Sequence, residues 1–416
     1  MIRLHKSTIV VLLSLVVLFV LMVYATHELF TSRFVGANDL YPRWKGAQLF
    51  WLEGMDPYSE AATEAIQRGI YSRLARPDED QVLFVYPFYT VFLLWPLVGL
   101  SYTWVQAIWL VTLQFALLAA VILCLRLVQW RVPTWLLALT LLWAIVFYNS
   151  TRTIILGQFA GLIFLWLAGS LLALKQDRNV LAGALLALTT IKPQMSFLVI
   201  PALLLWALGR RRWHFVAGFA GSLAVLAVVS FLLLPTWLTG FIEQVASYPD
   251  YTFTGSPLWV ITGYYFPQLG RPVETGLSIA LLLYLFYQWR DLPRQAAASP
   301  HFLVIIGLTL IVTNMIVVRT ATTNYIVLYI PLFLLLKVAA DRLPHGNGWV
   351  AAFYLVSIIG VWALFLATIS GDLEHPIMYL PLPLLLLAVL AWARVAWRSW
   401  PHSPGARATG LANDVP

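Results

Sequence analysis

The polar interval at residues 37–58 contains the acid best placed to do chemistry in this chain. The interval follows the first apolar run, and in it Asn38 and Tyr41 stand close to Asp39. A carboxylate can accept a proton from a substrate hydroxyl, and burial makes it a stronger base by raising its pKa. Asn and Asp are also the favoured N-cap residues of helices, and one residue can serve both purposes. We therefore take Asp39 as the candidate catalytic base, with capping of an interfacial helix as the alternative.

Two basic residues lie at positions where a positive charge needs an anion or water nearby. Lys192 falls inside the apolar run 180–208, where a cation costs at least about 2.5–3.5 kcal/mol unless water or an anion serves it. If this run splits at Pro193, Lys192 lies near a surface and is ordinary. Arg319 follows the apolar run 302–318 and precedes a cluster of Thr and Asn. Its guanidinium suits a phosphate through paired charge-assisted hydrogen bonds, or it snorkels to the interface.

Several polar and aromatic side chains are candidates for a substrate pocket. Gln158 begins an apolar helix, where hydrogen bonding to another helix is the simpler explanation. The segment 56–58, Asp-Pro-Tyr, is foremost a turn signal. Tyr86 and Pro87 open the next helix, because proline suits a first turn. The candidate substrate-binding residues are Asn38, Tyr41, Tyr58, Tyr86, Gln158, Gln194, Trp259, Tyr264 and Asn324.

The chain lacks the local patterns of cofactor and metal sites. Its seven His are scattered, and its one cysteine, Cys124, lies in an apolar run, so neither a disulfide nor a cysteine metal site is expected. There is no phosphate-binding Walker loop, no dinucleotide fingerprint and no Gly-x-Ser-x-Gly elbow. We therefore expect no metal, no cofactor, no ATP-driven transport and no serine hydrolysis.

The composition is that of a membrane protein with many spans. Hydrophobic residues make up 61% of the 416 residues and charged residues 11%, against about 45–50% and 25% in soluble domains. The net charge of +8 does not indicate nucleic acid, because the basic residues form short clusters between apolar runs, as in cytoplasmic loops. The basic N-terminus precedes an apolar run without a small-x-small cleavage site. We expect it to be a retained first helix with its N-terminus in the cytoplasm.

The apolar runs predict an all-α protein with about twelve transmembrane helices, each needing about 17 or more residues. These runs are 8–27, 83–100, 104–125, 134–150, 157–174, 180–208, 213–234, 273–290, 302–318, 322–340, 348–370 and 376–398. Two amphipathic helices are expected over 41–52 and 59–74, within a large first outer loop at 28–82. A turn signal at 54–57 separates them.

Basic clusters test which loops are cytoplasmic. Twelve helices put four clusters inside, namely the arginines at 210–212, Arg290 with Arg294, Lys337 with Arg342, and Arg394 with Arg398. Two further pairs are left outside, namely Arg126 with Arg131 and Lys175 with Arg178. If 83–100 does not cross and 180–208 splits at Pro193, these pairs also lie inside. We adopt the twelve-helix arrangement, with a second outer loop at 235–272 and a disordered cytoplasmic tail at 401–416.

The order of several short motifs resembles glycosyltransferase family 87. Together their order and spacing are specific. The motifs are Asp39-Leu40-Tyr41, Gly54-Met55-Asp56-Pro57-Tyr58, Tyr86-Pro87 with Pro96-Leu97, Gly157-Gln158, and Ala182-Gly183 with Lys192-Pro193. The family consists of integral membrane enzymes of the GT-C superfamily, and it includes mannosyltransferases that use polyprenyl-phosphate mannose.

The resemblance implies an extracytoplasmic active site in which the acid of the first outer loop, here Asp39, is the base. It implies a sugar donor carried on polyprenyl phosphate within the membrane lipid, and a lipid-linked or glycan acceptor. It also implies a GT-C-like catalytic module over 1–234. A loop or lid at 235–272 and C-terminal transmembrane helices at 273–400 would follow.

The sequence departs from the family pattern in two places. Many relatives carry a segment resembling Ser-Pro-x-Ser-Trp-x-His-Tyr, whereas residues 319–325 here read Arg-Thr-Ala-Thr-Thr-Asn-Tyr. Asn324 stands where the histidine is expected, and asparagine hydrogen-bonds but cannot carry a proton. Tyr86-Pro87-Phe88 also lacks the family's second proline. Asp39 is thus the one expected base, and the sugar could be arabinose or another in place of mannose.

The sequence therefore predicts a membrane glycosyltransferase that transfers a sugar from polyprenyl phosphate with inversion. Asp39 would accept the proton of the acceptor hydroxyl, while Arg319 and Lys192 would stabilise the leaving phosphate. The main alternative is a transporter or flippase for a lipid-linked or small polar substrate. Transporters often show internal repeats, and none is evident here. A structural membrane subunit would leave Lys192 unexplained.

Overall fold

The computed structural model describes residues 6–251, 255–318, 320–371 and 374–398, and within them the regular structure is helical without a strand. The helices are α1 Lys6–Thr26, α2 Tyr41–Glu53, α3 Glu60–Tyr71, α4 Thr90–Leu94, α5 Tyr102–Leu127, α6 Thr134–Val146, α7 Tyr148–Ile155, α8 Ala160–Lys175, α9 Asn179–Leu188, α10 Val199–Gly209, α11 Trp213–Leu233, α12 Trp237–Tyr251, α13 Pro257–Trp259, α14 Gly270–Trp289, α15 Pro300–Ile316, α16 Tyr329–Arg342, α17 Gly346–Thr368 and α18 Pro381–Arg398. The all-α class predicted from the apolar runs is confirmed.

Five of the described helices are long and apolar enough to cross a membrane, or six when the bent pair α6 and α7 counts as one span. The five spans are Thr8–Thr31, Tyr102–Leu127, Trp213–Leu233, Thr322–Arg342 and Gly346–Thr368. Helices α1, α11 and α17 leave most of their apolar side chains exposed. Such surfaces are stable where lipid replaces water as the solvent. The chain is thus a membrane protein with several transmembrane helices.

Three of the predicted helices are interrupted. The run 83–100 is helical only at α4 and a short 3₁₀ turn after it, because Pro87 disfavours helical backbone at the residue before it. The run 180–208 breaks between α9 and α10, around Pro193, which cannot donate a helix hydrogen bond. The run 134–150 bends by 51° between α6 and α7. The predictions of one continuous helix over 83–100, 180–208 and 134–150 were therefore wrong.

The polar interval after α1 folds into the two helices that were predicted there, α2 and α3. Gly54 ends α2 in a left-handed conformation with φ 68°, which glycine adopts without strain. The Asp56 carboxylate accepts a hydrogen bond of 2.8 Å from the backbone N–H of Tyr58, and Ser59 caps α3. The turn predicted at this point is confirmed, and the Asp56 carboxylate is engaged in it.

Two glycines allow the close contact between α9 and α11. A Cβ added at Gly183 would lie 2.2 Å from the backbone oxygen of Phe215, and one at Gly218 would lie 2.4 Å from that of Val180. Small residues let the backbones of membrane helices approach closely, and the close approach stabilises the pair through van der Waals packing. This contact holds α9, whose C-terminal end leads to Lys192.

We predict that Gly183→Val lowers the free energy of unfolding by about 1–3 kcal/mol, because the added side chain must push the two backbones apart. The melting temperature of the detergent-purified variant measures this effect. Gly221→Val is the matched control, since it lies on α11 and a Cβ there meets nothing within 4 Å. Equal melting temperatures for the two variants would show that the close contact does not stabilise the fold.

Candidate active site

Asp39 lies in a short irregular segment between the end of the first span and α2, and contacts from two other helices hold it in place. Its backbone N–H donates to the carbonyl oxygen of Leu156 at 3.2 Å. The Tyr102 hydroxyl of α5 donates to the carbonyl oxygens of Gly36 and Ala37, both at 2.8 Å. These bonds fix the backbone on both sides of Asp39, whose side chain is half-buried.

Gly157 explains why a Gly-Gln pair occurs at this point of the sequence. Its φ is +69°, and an added Cβ would lie 2.9 Å from the Cβ of Leu40 and 3.0 Å from the Cβ of Ala37. Glycine is thus required both for the left-handed backbone and for the close approach of the Asp39 segment. Trp109 fixes the turn by donating from Nε1 to the carbonyl oxygen of Gly157 at 2.9 Å.

A hydrogen-bonded series joins Lys192, Gln158 and Asp39. The Gln158 amide donates from Nε2 to Asp39 Oδ2 at 2.7 Å, and Lys192 donates from Nζ to Gln158 Oε1. An ammonium only donates, so the lysine determines which end of the amide faces the carboxylate. Lys192 is 3% exposed. The Gln158 amide therefore links the Lys192 ammonium to the Asp39 carboxylate and holds its Oδ2. Asp39 Oδ1 accepts no hydrogen bond from the described residues.

These side chains line one cavity of about 260 Å³, which we call the Asp39 cavity. Six of the predicted site residues line it, namely Asp39, Tyr86, Gln158, Lys192, Gln194 and Asn324. They come from regions far apart in the sequence, and the interruptions at 83–89 and 189–198 carry three of them. Seven further described residues complete the wall, namely Val85, Val245, Tyr248, Val317, Val318, Thr320 and Ala321.

Arg43 also lines the Asp39 cavity, and the sequence analysis missed it. Its guanidinium lies 4.5 Å from the centre of the Tyr86 ring, over its face, and the residue is 8% exposed. The spacing of four residues from Asp39, in the same polar interval, was a signal that could have identified it. With Asp39, Arg43 and Lys192 in its lining, the cavity holds one acid against two basic groups.

Tyr86 is held from two sides. The Tyr58 hydroxyl donates to the carbonyl oxygen of Tyr86 at 2.6 Å, and the Tyr86 ring packs on Phe159 with centroids 5.2 Å apart. Burial raises the pKa of the Tyr86 phenol, which therefore stays protonated and can donate a hydrogen bond. Tyr58 thus acts on the cavity through Tyr86 rather than by lining it.

The cavity wall that contains Asn324 is tied to a buried acid. Glu374 accepts hydrogen bonds from the Thr322 hydroxyl at 2.7 Å and the Tyr148 hydroxyl at 2.5 Å. Burial raises the pKa of the Glu374 carboxyl above its usual value, although these hydrogen bonds act in the opposite direction. Asn149 donates to the carbonyl oxygen of Thr322 at 2.7 Å. Side-chain hydrogen bonds thus hold the segment in place, and Oδ1 of Asn324 is buried without a partner among the described residues.

The other predicted substrate-binding residues lie outside the Asp39 cavity. Asn38 is exposed, and Tyr41 packs its ring edge-on against Tyr102, with centroids 4.7 Å apart. Trp259 lines a different cavity with Arg271 and Glu274. Tyr264 is exposed, and its hydroxyl lies 3.1 Å from Nε2 of His375.

Arg319 lies outside the described residues, while its neighbours Val318 and Thr320 line the Asp39 cavity. No group of three or more His, Cys, Asp or Glu side chains that could hold a metal ion occurs in the part of the chain that the structure describes.

Comparison with known proteins places the chain in a family. Neither a curated protein nor a solved structure matches it. The sequence model of glycosyltransferase family 87 matches residues 84–336, which is more than half of the 416 residues. The match includes Tyr86, Gln158, Lys192, Gln194 and Asn324 of the cavity, while Asp39 and Arg43 precede it. The chain therefore belongs to glycosyltransferase family 87.

Proposed function

We propose that this protein transfers a sugar from a polyprenyl phosphate to a hydroxyl of a lipid-linked or glycan acceptor, on the extracytoplasmic side and with inversion. Family membership makes it a glycosyltransferase. The observation that carries the finer proposal is the hydrogen-bonded series from Lys192 through Gln158 to Asp39 in one cavity. It gives a carboxylate with one oxygen that accepts no hydrogen bond from the described residues, as a general base needs, beside cations that suit a phosphate. Mannose is the sugar we propose.

In the proposed reaction Oδ1 of Asp39 accepts the proton of the acceptor hydroxyl. The hydroxyl oxygen forms its bond to the anomeric carbon as the bond from that carbon to the phosphate oxygen breaks. The electron pair leaves with the phosphate, on the face opposite the attack, so the anomeric configuration inverts. Lys192 and Arg319 stabilise the negative charge that develops on the phosphate, because preorganised cations act most strongly in a water-poor site. Gln158 keeps Asp39 oriented, and Tyr86, Gln194 and Asn324 supply hydrogen bonds to the sugar.

We propose a GT-C-type arrangement of about twelve membrane helices, in which 83–100 does not cross and 180–208 splits at Pro193. Helix α9 runs in from the cytoplasmic side to Lys192, and α10 runs back to the same side. The apolar helices near α8, α15 and α18 and helix α14 would supply further crossings, whereas α9 and α10, with 10 and 11 residues, are too short to cross. This arrangement puts all six basic clusters named in the sequence analysis in the cytoplasm, as the positive-inside rule favours. It also puts Asp39, Gln158, Lys192 and Asn324 on the outer side together, which supports an extracytoplasmic site.

The same proposal divides the chain as the family resemblance implied. Residues 1–234 form the catalytic module, residues 235–272 a loop or lid, residues 273–400 the C-terminal helices, and 401–416 a cytoplasmic tail. Helix α12, at the start of the second unit, contributes Val245 and Tyr248 to the cavity. The lid would therefore contact the substrate of the first unit.

The purified protein in lipid nanodiscs, supplied with radiolabelled polyprenyl-phosphate mannose, glucose or arabinose and with membrane lipid extract, tests the donor class. We expect label to move from one of these donors to an acceptor. Transfer from a nucleotide sugar alone would contradict the proposal. Movement of an intact lipid-linked sugar across vesicles without bond cleavage would favour the alternative, a flippase.

A further inference from the structure

We propose that Arg43 binds the phosphate of the lipid-linked donor in the Asp39 cavity, an assignment that rests on the proposed function. Sequence reasoning gave this role to Arg319 and Lys192, and Arg43 lies outside the part of the chain that the family model matches. Three features of Arg43 support the assignment. Its side chain is buried, it forms no close ion pair with a described residue, and the residues that line the cavity carry more positive than negative charge.

Arg43 is a buried cation that forms no close ion pair with a described residue, and the exposed Asp80 interacts with its charge only from a longer distance. Arg43 is 8% exposed, and its Nε is enclosed and makes no hydrogen bond to a described residue. None of the ion pairs in the described part of the chain includes it. An uncompensated buried charge destabilises a fold, so we infer that a ligand supplies the missing anion.

The other charges of the cavity are already engaged with each other. Lys192 donates to Gln158, and Gln158 donates to Asp39, so the lysine and the aspartate offset each other across the amide. Among the residues that line the cavity, Arg43 is then the excess positive charge, since Asp80 does not line it. A sugar linked to a polyprenyl phosphate carries a phosphodiester, whose single negative charge would neutralise the site. The hydroxyl of the acceptor is uncharged and would not neutralise the site.

The stacking of Arg43 leaves its hydrogen-bonding edge available. The face of the guanidinium lies on the Tyr86 ring at 4.5 Å, and the ring is fixed through Tyr58 and Phe159. The N–H groups lie in the guanidinium plane, where they form paired bonds to two phosphate oxygens. A stacked arginine is therefore oriented before the donor arrives.

Arg43 could instead act only as a structural support for Tyr86, and the two roles predict opposite effects on stability. Replacing a structural arginine lowers the melting temperature. Replacing a cation whose counter-ion comes from the bound ligand leaves the melting temperature of the unliganded protein unchanged or raises it, because an uncompensated charge is removed. Arg43→Met keeps the length and apolar contacts of the side chain and separates these cases.

The experiment uses the full-length protein in nanodiscs and measures binding of undecaprenyl phosphate and of uncharged undecaprenol by tryptophan fluorescence. We expect Arg43→Met to weaken undecaprenyl phosphate binding at least about tenfold, the scale of a charged hydrogen bond, with undecaprenol binding and the unliganded melting temperature maintained. Arg43→Lys should give an intermediate loss, because it keeps the charge without the paired geometry. Arg68→Met is the control, since Arg68 is an exposed residue of α3 paired with Glu64 at 3.3 Å.

Unchanged phosphate binding in Arg43→Met, with the wild type preferring the phosphate, would overturn the assignment and leave the proposed function standing. An equal loss for both ligands together with a lower melting temperature would show a structural role and also overturn it. A wild type that binds undecaprenyl phosphate no better than undecaprenol would contradict the donor class itself, and the Arg43 assignment with it.

Discussion

Asp39→Asn is expected to preserve the fold and to lower the transfer rate by about 10²–10⁴-fold, the usual contribution of a general base. The asparagine oxygen can still accept the hydrogen bond that Gln158 Nε2 now donates to Oδ2 at 2.7 Å. The amide cannot accept the proton of an acceptor hydroxyl. The purified variant should therefore bind the donor and unfold at the wild-type temperature, while single-turnover transfer of radiolabelled sugar falls.

Asp56→Asn is the matched control, because Asp56 lies in the same polar interval and its carboxylate accepts from the backbone N–H of Tyr58 at 2.8 Å. We expect it to keep transfer near the wild-type rate, since it acts in a turn. Normal turnover by Asp39→Asn would show that another group takes the proton. An equal loss in both variants would show that the polar interval matters through its folding.

Gly157→Ala should abolish most of the activity although alanine adds a single methyl group. The residue has φ +69°, and its new Cβ would lie 2.9 Å from the Cβ of Leu40 and 3.0 Å from that of Ala37. A left-handed backbone costs alanine about 1–2 kcal/mol, and overpacking costs about 1–3 kcal/mol more. The segment that carries Asp39 must then move away from Gln158. A displacement of about 1 Å lowers a rate by about 10²-fold, which the transfer assay measures.

Gly54→Ala isolates the first of these effects, the cost of the left-handed backbone, without the overpacking. Gly54 has nearly the same backbone, φ +68°, but a Cβ there meets nothing within 4 Å. We expect this variant to lose stability by about 1–2 kcal/mol and to retain transfer. If Gly157→Ala retains transfer equally well, the close approach between Gly157 and the Asp39 segment does not determine the geometry of the site.

The sequence alone determined the helical membrane class, because long apolar runs with few charges have no other stable solution in lipid. It also predicted Asp39 as a site residue, because it lies in a polar interval after an apolar run, and Gln158 and Lys192, because a polar or charged group among apolar residues is costly. The motif order indicated the family, which the comparison confirmed. Gly157 was visible as part of a motif, but the reason for a glycine there was not.

Only the tertiary structure decided which of these residues meet. Asp39 and Gln158 are 119 positions apart, and no periodicity within one helix predicts a contact over such a distance. The irregular stretches at 83–89 and 189–198 bring Tyr86, Lys192 and Gln194 to the Asp39 cavity, yet both lie in apolar runs that look continuous. Arg43 appeared ordinary, because an arginine in a polar interval is expected to face water. Its burial without a close ion pair to a described residue follows from packing on Tyr86. Packing between remote segments is what the local sequence pattern does not encode.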